Sequence, residues 1–199
     1  MNLNNWLGTR SKKVLAFWCA SLALAAAASA QQRAIDTEKS VMTVRVYKAG
    51  VFSALGHDHE IAAPIASGTV DNAAHKVEIH VKAGALKVRD PKVSEKDRAE
   101  IQSTMLGAEV LDAAGHPEIV FRSTTAAPGA SGSWTVTGNL TLHGQTRPVT
   151  VDVKETGGHY VGASRLKQTE FGITPVKVAG GTIGVKDEIR IEFDIQLAH

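Results

Sequence analysis

The chain has 199 residues, which suits one well-buried domain rather than two. Its formal charge is +2, from 22 Lys and Arg against 20 Asp and Glu, which argues against the basic bias of nucleic-acid binders. Hydrophobic residues make up 43% of the chain, so extensive disorder is not expected, and a single cysteine excludes both a disulfide framework and a Cys-based zinc site.

The first thirty residues have the pattern of a secretory signal peptide. A basic stretch at 10–13 precedes an apolar run, and 28–30 reads Ala-Ser-Ala, a small-x-small cleavage site. The apolar run has about 15 residues, short of the roughly 20 that a membrane-spanning helix needs. We therefore expect residues 1–30 to be removed and residues 31–199 to form a single domain in the periplasm. That mature chain is expected to contain no membrane-spanning segment and to bind no nucleic acid.

Alternation of apolar and polar residues predicts antiparallel strands with one apolar and one wet face. Eight such segments lie near 42–47, 59–70, 77–82, 118–125, 134–143, 149–154, 159–166 and 189–197. Between Pro91 and Pro117 the alternation stops. There Ser94 with Asp97 gives a capping signal, and the following apolar residues recur at helical spacing, which predicts a short helix over 94–106.

Eight antiparallel strands remove their exposed edges by closing into a barrel, so we predict an all-β, eight-stranded antiparallel barrel with one short helix. A sandwich is the alternative. A barrel of this size either fills itself with side chains or holds one small ligand. Many inward residues are modest in size, and seven aromatic residues follow position 30, which favours an unfilled apolar interior. The helix is then expected to pack on the barrel as a lid or plug.

Six motifs occur in an order and spacing that resemble a known family. They lie at 35–40, 56–59, 116–123, 138–149, 170–173 and 185–191. The most specific of them is Gly-Asn-Leu-Thr-Leu-His-Gly-Gln-Thr-Arg-Pro-Val at 138–149. On these motifs the chain resembles the YceI-like family of bacterial periplasmic proteins, from about residue 35 to residue 197.

The resemblance implies an extended lipocalin-like barrel whose apolar interior takes a long isoprenoid or a similar amphiphile. It also implies a polyisoprenoid-binding protein and not an enzyme, because members of the family are not generally enzymes. The sequence departs from the family at Gln168, where an arginine is common. Any ion pair or head-group contact made by that arginine is therefore not carried over to this chain.

We accordingly predict a periplasmic carrier that needs no catalytic residue and no cofactor beyond its bound polyisoprenoid or quinone-like lipid. An apolar tail gains roughly 0.8 kcal/mol for each CH₂ group removed from water, so a dry barrel holds it without other machinery. The expected pocket wall consists of inward-facing apolar side chains from several strands. They are Met42, Val44, Val46, Ile119, Phe121, Leu140, Leu142, Val149, Val151, Ile191 and Phe193.

The eight histidines support an alternative, a metal-binding protein or a metal-dependent enzyme. His57 and His59 are two residues apart and share a face of an extended segment. With His116 or His143 they would supply the nitrogen ligands that zinc or copper prefers. Backbone hydrogen bonding at the entry to a strand is the simpler explanation. A third function, a quinone-delivering accessory of a membrane cytochrome, stays open, as does the oligomeric state, a homodimer included.

Overall fold

The computed structural model describes residues 32–50 and 57–198; the predicted signal peptide and Gly56 of the 56–59 motif lie outside these residues. The described chain is mainly β-structure with one α-helix, α1, at Glu95–Leu106. In chain order the strands are β1 (Gln32–Ala34), β2 (Val41–Ala49), β3 (His59–Ala62), β4 (Ile65–Asp71), β5 (Lys76–Lys82), β6 (Lys87–Val88), β7 (Glu118–Pro128), β8 (Ser133–Leu142), β9 (Gln145–Thr156), β10 (His159–Lys167), β11 (Lys177–Val178) and β12 (Ile183–Gln196).

These strands form one curled antiparallel sheet rather than the two sheets of a sandwich. Their order is β1-β4-β5-β7-β8-β9-β10-β12-β2-β3-β6, with β11 paired to β12 outside this path. Five of the ten neighbouring pairs on this path are also consecutive in the chain and need only short connections. Past the end of β1, Ile35 forms a bridge with Leu197, so the start of the domain is also bonded to its last strand.

The sheet has twelve strands within the described residues, and the prediction of eight needs correcting. Four of the twelve, β1, β3, β6 and β11, have only two to four residues. Segments this short carry too few residues for a period of two to show. The predicted strand 59–70 is divided between β3 and β4 at Pro64, whose missing N–H interrupts a ladder.

The predicted helix is present, and its start has the expected cap. The Asp97 N–H donates to Ser94 Oγ over 3.1 Å, and the helix ends at Gly107. Met105 is the residue of α1 that is buried in the core.

The register of the strands places apolar residues in rows across one face of the sheet. Ile79 on β5 lies opposite Phe121 on β7, and Phe121 lies opposite Leu140 on β8. On the other part of the sheet Val44 of β2 faces Ile191 of β12. Directly opposed residues point to the same side of an antiparallel pair, so these rows make one continuous apolar face.

The outer face carries a charged network centred on Arg45 of β2. Its guanidinium donates to Glu192 on β12 and to Glu60 on β3, each over 2.8 Å. The hydrogen bond from Arg45 lowers the pKa of the Glu192 carboxyl below its usual value. The network therefore links three neighbouring strands on the wet side of the sheet, where ion pairs contribute modestly.

Two glycines provide room for two aromatic rings of the inner face. A Cβ at Gly162 of β10 would lie 2.6 Å from Phe193 Cζ, and one at Gly138 of β8 would lie 2.5 Å from Phe121 Cζ. Non-bonded carbon atoms do not approach this closely, so each ring lies over a strand position that has no side chain. Glycine within a strand commonly marks such a close approach.

Substitution of Gly162 by Ala should therefore destabilise the domain. The added methyl group forces Phe193 away from the wall and meets backbone of β9 as well, and we expect a loss of about 1 to 3 kcal/mol in unfolding free energy. Gly84→Ala is the matched control, because a Cβ at that position meets nothing within 4 Å. Urea unfolding of the two variants measures the difference, and equal midpoints would contradict this account of the glycine.

Candidate functional site

The inner face of the curled sheet lines an apolar cavity of about 480 Å³. Sites for small molecules are commonly about 300 to 1,000 Å³ and are lined mainly by hydrophobic side chains. The interior is therefore hollow, and its volume is in the range that holds a ligand.

All eleven residues of the predicted pocket wall line this cavity; that they contact a ligand stays a prediction. They come from β2, β7, β8, β9 and β12. They are Met42, Val44, Val46, Ile119, Phe121, Leu140, Leu142, Val149, Val151, Ile191 and Phe193.

The cavity also has wall residues that the sequence prediction omitted. Most of them continue the same alternation along the strands, so the apolar period itself could have identified them. They include Ile61, Val77, Ile79, Val81, Val136, Val153, Leu166, Ile189 and Ile195.

At one end the cavity wall is mainly apolar and includes residues of α1 and of the segment that follows it. Met105, Val110 and Leu111 reach the cavity from this segment. Gln102 of α1 holds the helix to the edge of the sheet: its side-chain NH₂ donates to Leu86 O, and its oxygen accepts from the Val88 N–H, both over 2.8 Å. The helix thus packs against the cavity wall, and its role as a plug stays a prediction.

The most specific motif, at 138–149, forms the hairpin of β8 and β9 at the same end. Its two-residue turn is His143-Gly144, and both residues have positive φ, 50° and 70°. This is the type I′ geometry that matches the twist of paired strands. His143 Nδ1 lies 3.1 Å from the backbone oxygen of Phe171, which is fully buried. The motif therefore shapes the end of the cavity and its neighbouring turn.

Gln168 occupies the position where the family resemblance would place an arginine. It lines the cavity, is only 7% exposed, and its side chain donates to Lys186 O over 2.8 Å. The next residue, Thr169, donates from its N–H and its hydroxyl to the Asp187 carboxylate at 2.9 and 2.8 Å. In this chain the position therefore ties the turn at Gln168–Phe171 to β12 with a neutral side chain.

The other end of the cavity carries polar groups. Asn72 and His75 come from the β4–β5 connection, Lys76 begins β5, and Glu155 and Tyr160 face each other across the β9–β10 hairpin. Burial raises the pKa of the Tyr160 hydroxyl, and the negative charge of Glu155 raises it further. The phenol therefore stays protonated and can donate a hydrogen bond. The sequence pattern missed this group because these residues lie in or beside turns.

The histidines predicted as metal ligands are divided between two places. His116 and His143 contact each other edge to face, with ring centroids 5.1 Å apart. His57 and His59 form a second pair, with centroids 4.7 Å apart, and the third group beside them is Asp90. The expectation that His116 or His143 completes the set is therefore wrong, and Asp90 had no sequence signal because it follows a strand of two residues.

The fold and the cavity define a class: a protein whose antiparallel sheet curls around one apolar compartment. A family model described as "YceI-like domain" matches residues 34–197, and the chain belongs to this family. Among the residues that the structure describes, no helix combines the length and the apolar character needed to cross a bilayer.

Curated relatives agree with the family assignment, and a solved structure shares the fold. The chain is 31% identical to a UPF0312 protein of Vibrio parahaemolyticus over 49% of this chain and 56% of that protein. It is 28% identical to a UPF0312 protein of Vibrio cholerae, over 52% and 58%. These matches span little more than half of each relative. The crystal structure of Burkholderia cenocepacia BcnA superposes with a TM-score of 0.61 at 20% identity, over 83% of this chain and 99% of that one, and shares the fold.

The two hydrogen bonds of the Gln102 side chain lead to a prediction about how firmly α1 is held. Gln102→Ala removes two hydrogen bonds that satisfy backbone groups of Leu86 and Val88, each worth about 0.5 to 1.5 kcal/mol. We expect the amides of α1 to exchange with deuterium several-fold faster, while those of β8 and β9 are unchanged. Ser103→Ala on the same helix is the control. Equal exchange in both variants would show that Gln102 does not hold the plug.

Proposed function

We propose that this protein is a binding or carrier protein that holds a long-chain isoprenoid, or a similar amphiphile, in its apolar cavity. The observation that carries the proposal is the cavity of about 480 Å³ with an aliphatic wall. The proposal assigns no catalytic residue and no cofactor other than the bound lipid. The 1–30 pattern supports a periplasmic location, where such a lipid needs a carrier to cross water.

The physical basis is transfer of the tail from water into the compartment. Each CH₂ group that leaves water contributes roughly 0.8 kcal/mol, so a tail of several isoprene units gains enough to offset the cost of association. The wall residues are aliphatic or aromatic carbon groups on paired strands, so the tail meets few polar atoms. A branched, flexible chain suits such a wall because it adapts to an irregular surface.

The two unlike ends of the cavity support a direction for the bound molecule. We propose that its tail points toward Met105 and Leu111 and that its head lies among the polar groups near Tyr160. There the Tyr160 phenol donates, the Glu155 carboxylate accepts, and the Lys76 ammonium donates, though it already bonds Thr124 O over 3.0 Å. A hydroxyl or phenol head group fits this mixture of donors and acceptors.

We also propose that the sheet closes as a lipocalin-like barrel around the tail. Two backbone hydrogen bonds between the start of the domain and its end support this closure. The Asp36 N–H donates to Gln196 O and the Ala198 N–H donates to Ala34 O, each within 2.9 Å. These bonds extend the Ile35–Leu197 bridge and join the β1 edge to β12. Closure of this kind would keep water from the side of the compartment.

The first test identifies any molecule that co-purifies with the protein. It then asks whether the amount of that molecule falls when the cavity is filled by a larger side chain. The full chain, produced in a bacterium that exports it, is extracted with organic solvent, and the extract is analysed by mass spectrometry. We expect a long amphiphile at up to one equivalent. Val151→Trp, which fills the cavity from β9, should reduce the extracted amount at least about tenfold, because the indole ring occupies space that the tail would take.

Val161→Trp on β10 is the matched control, since Val161 is 45% exposed and outside the cavity lining. It should retain the amphiphile. The carrier proposal fails if no amphiphile is extracted from the wild-type chain and polyprenols do not displace a fluorescent fatty acid from it. It also fails if the two tryptophan variants behave alike while both remain folded by circular dichroism.

The direction of the bound molecule is tested at Tyr160. Tyr160→Phe removes one hydrogen-bond donor worth about 0.5 to 1.5 kcal/mol, so the affinity for a polyprenol should fall by roughly two- to tenfold. The affinity for a hydrocarbon of equal length, which has no head group, should not change. Tyr47→Phe on β2 is the control, and competition titrations measure all three proteins. An equal loss for both ligands would reverse the assignment of the head group to this end.

A further inference from the structure

Two imidazoles and one buried carboxylate meet at the edge of the sheet, outside the apolar cavity. His59 is the first residue of β3, His57 precedes it by two residues, and Asp90 follows β6, the partner of β3. One donor atom from each of these residues lies within 4.8 Å of the other two. None of the three lines the cavity, so this cluster is independent of the proposed lipid site.

Asp90 is held so that one of its oxygens faces both rings. The residue is only 3% exposed. Its Oδ1 accepts a hydrogen bond from the Glu60 N–H over 2.7 Å, which fixes the carboxylate. Its Oδ2 lies 2.7 Å from His59 Nδ1 and 3.7 Å from His57 Nε2. Burial of a carboxylate is costly unless a cation or hydrogen-bond donors compensate it.

We infer that His57, His59 and Asp90 bind one divalent transition-metal ion of the zinc class. Zinc takes histidine nitrogens at about 2.0 to 2.1 Å and carboxylate oxygens at about 2.0 to 2.2 Å. Tetrahedral ligands at these lengths are about 3.3 Å apart, a value between the two Asp90–histidine distances given above. Small side-chain movements therefore suffice. Calcium and magnesium prefer oxygen ligands and do not suit two imidazoles.

The burial of the three residues indicates a site with an open position. His57 is exposed, His59 is partly buried and Asp90 is buried, so the group faces solvent on one side. Three protein ligands with a fourth position left to water are typical of zinc sites that exchange their fourth ligand. The ion would connect β3 to the segment after β6, beside the point where Gln102 attaches α1 to Val88.

Other histidine–carboxylate pairs in the described chain lack this combination. His159 lies 2.8 Å from Asp194, and His80 lies 2.6 Å from Glu78, but both carboxylates are about two-fifths exposed. Each of these pairs also involves a single imidazole, and Glu78 is shared with Arg122. His159 therefore provides a matched control for a histidine paired with a carboxylate outside the cluster.

The experiment uses the full chain purified without a histidine tag and stripped with a chelator. Zn²⁺ or Co²⁺ is added, free ion is removed by dialysis, and bound metal is measured by mass spectrometry. We expect one equivalent, a visible absorption spectrum of bound Co²⁺ with nitrogen ligands, and a rise in the thermal midpoint with Zn²⁺, because an ion that binds only the folded state stabilises it.

His57→Ala should raise the metal dissociation constant at least about tenfold. Loss of a side chain that only supports a metal ligand already costs about 10- to 100-fold, and loss of a ligand itself should cost no less. This variant tests the site without loss of fold, since His57 is exposed; Asp90→Asn should have the same effect on the metal. His159→Ala should bind as the wild-type chain does. The inference is overturned if the wild-type chain retains no metal, or if His57→Ala binds metal as tightly as His159→Ala does.

Discussion

The structure depends on keeping a space empty inside a sheet that would otherwise collapse onto itself. A packed core normally supplies dispersion contacts on every side of each residue, and a cavity forfeits those contacts along its lining. The described chain concentrates its tight packing at two places instead. One cluster includes Phe171, Leu86 and Leu111 beside α1, and the other joins Ile35, Ile65, Ile195 and Leu197 where the first and last segments of the domain meet. Partly buried wall residues such as Val44, Val149 and Ile191 pack against the first cluster.

The packed clusters and the cavity wall share residues. Leu111 and Ile195 each belong to a cluster and also line the cavity, so part of the wall supports the fold as well as facing a guest. The glycines beneath Phe121 and Phe193 belong to the same arrangement, because they let large rings lie along the wall. The histidine–aspartate cluster occupies a third place, on the sheet edge, so a metal ion and a lipid would not compete for the same side chains.

The strands, the helix and the apolar wall were predictable because they follow periodic patterns. Val149 and Val151, for example, alternate with polar residues over a strand long enough for the period to show. The features that the sequence pattern did not predict depend on contacts between segments that are distant in the chain. The two-residue strand β6 and the placement of Asp90 beside His59 arise from pairing with β3, and the polar group around Tyr160 arises from two connections meeting at one end. The separation of His143 from His57 has the same cause.

The packing of α1 against one end of the cavity has a consequence for selectivity by ligand length if the helix closes that end. A compartment closed at one end sets an upper limit on the length of the tail that it can hold. If the head group lies near Tyr160, as proposed above, a tail that is too short leaves part of the lining uncovered, and the loss of affinity is gradual. A tail that is too long has nowhere to extend, so it must fold back or pull its head away from the polar groups. Discrimination by such a protein would thus be steep against longer chains and shallow against shorter ones.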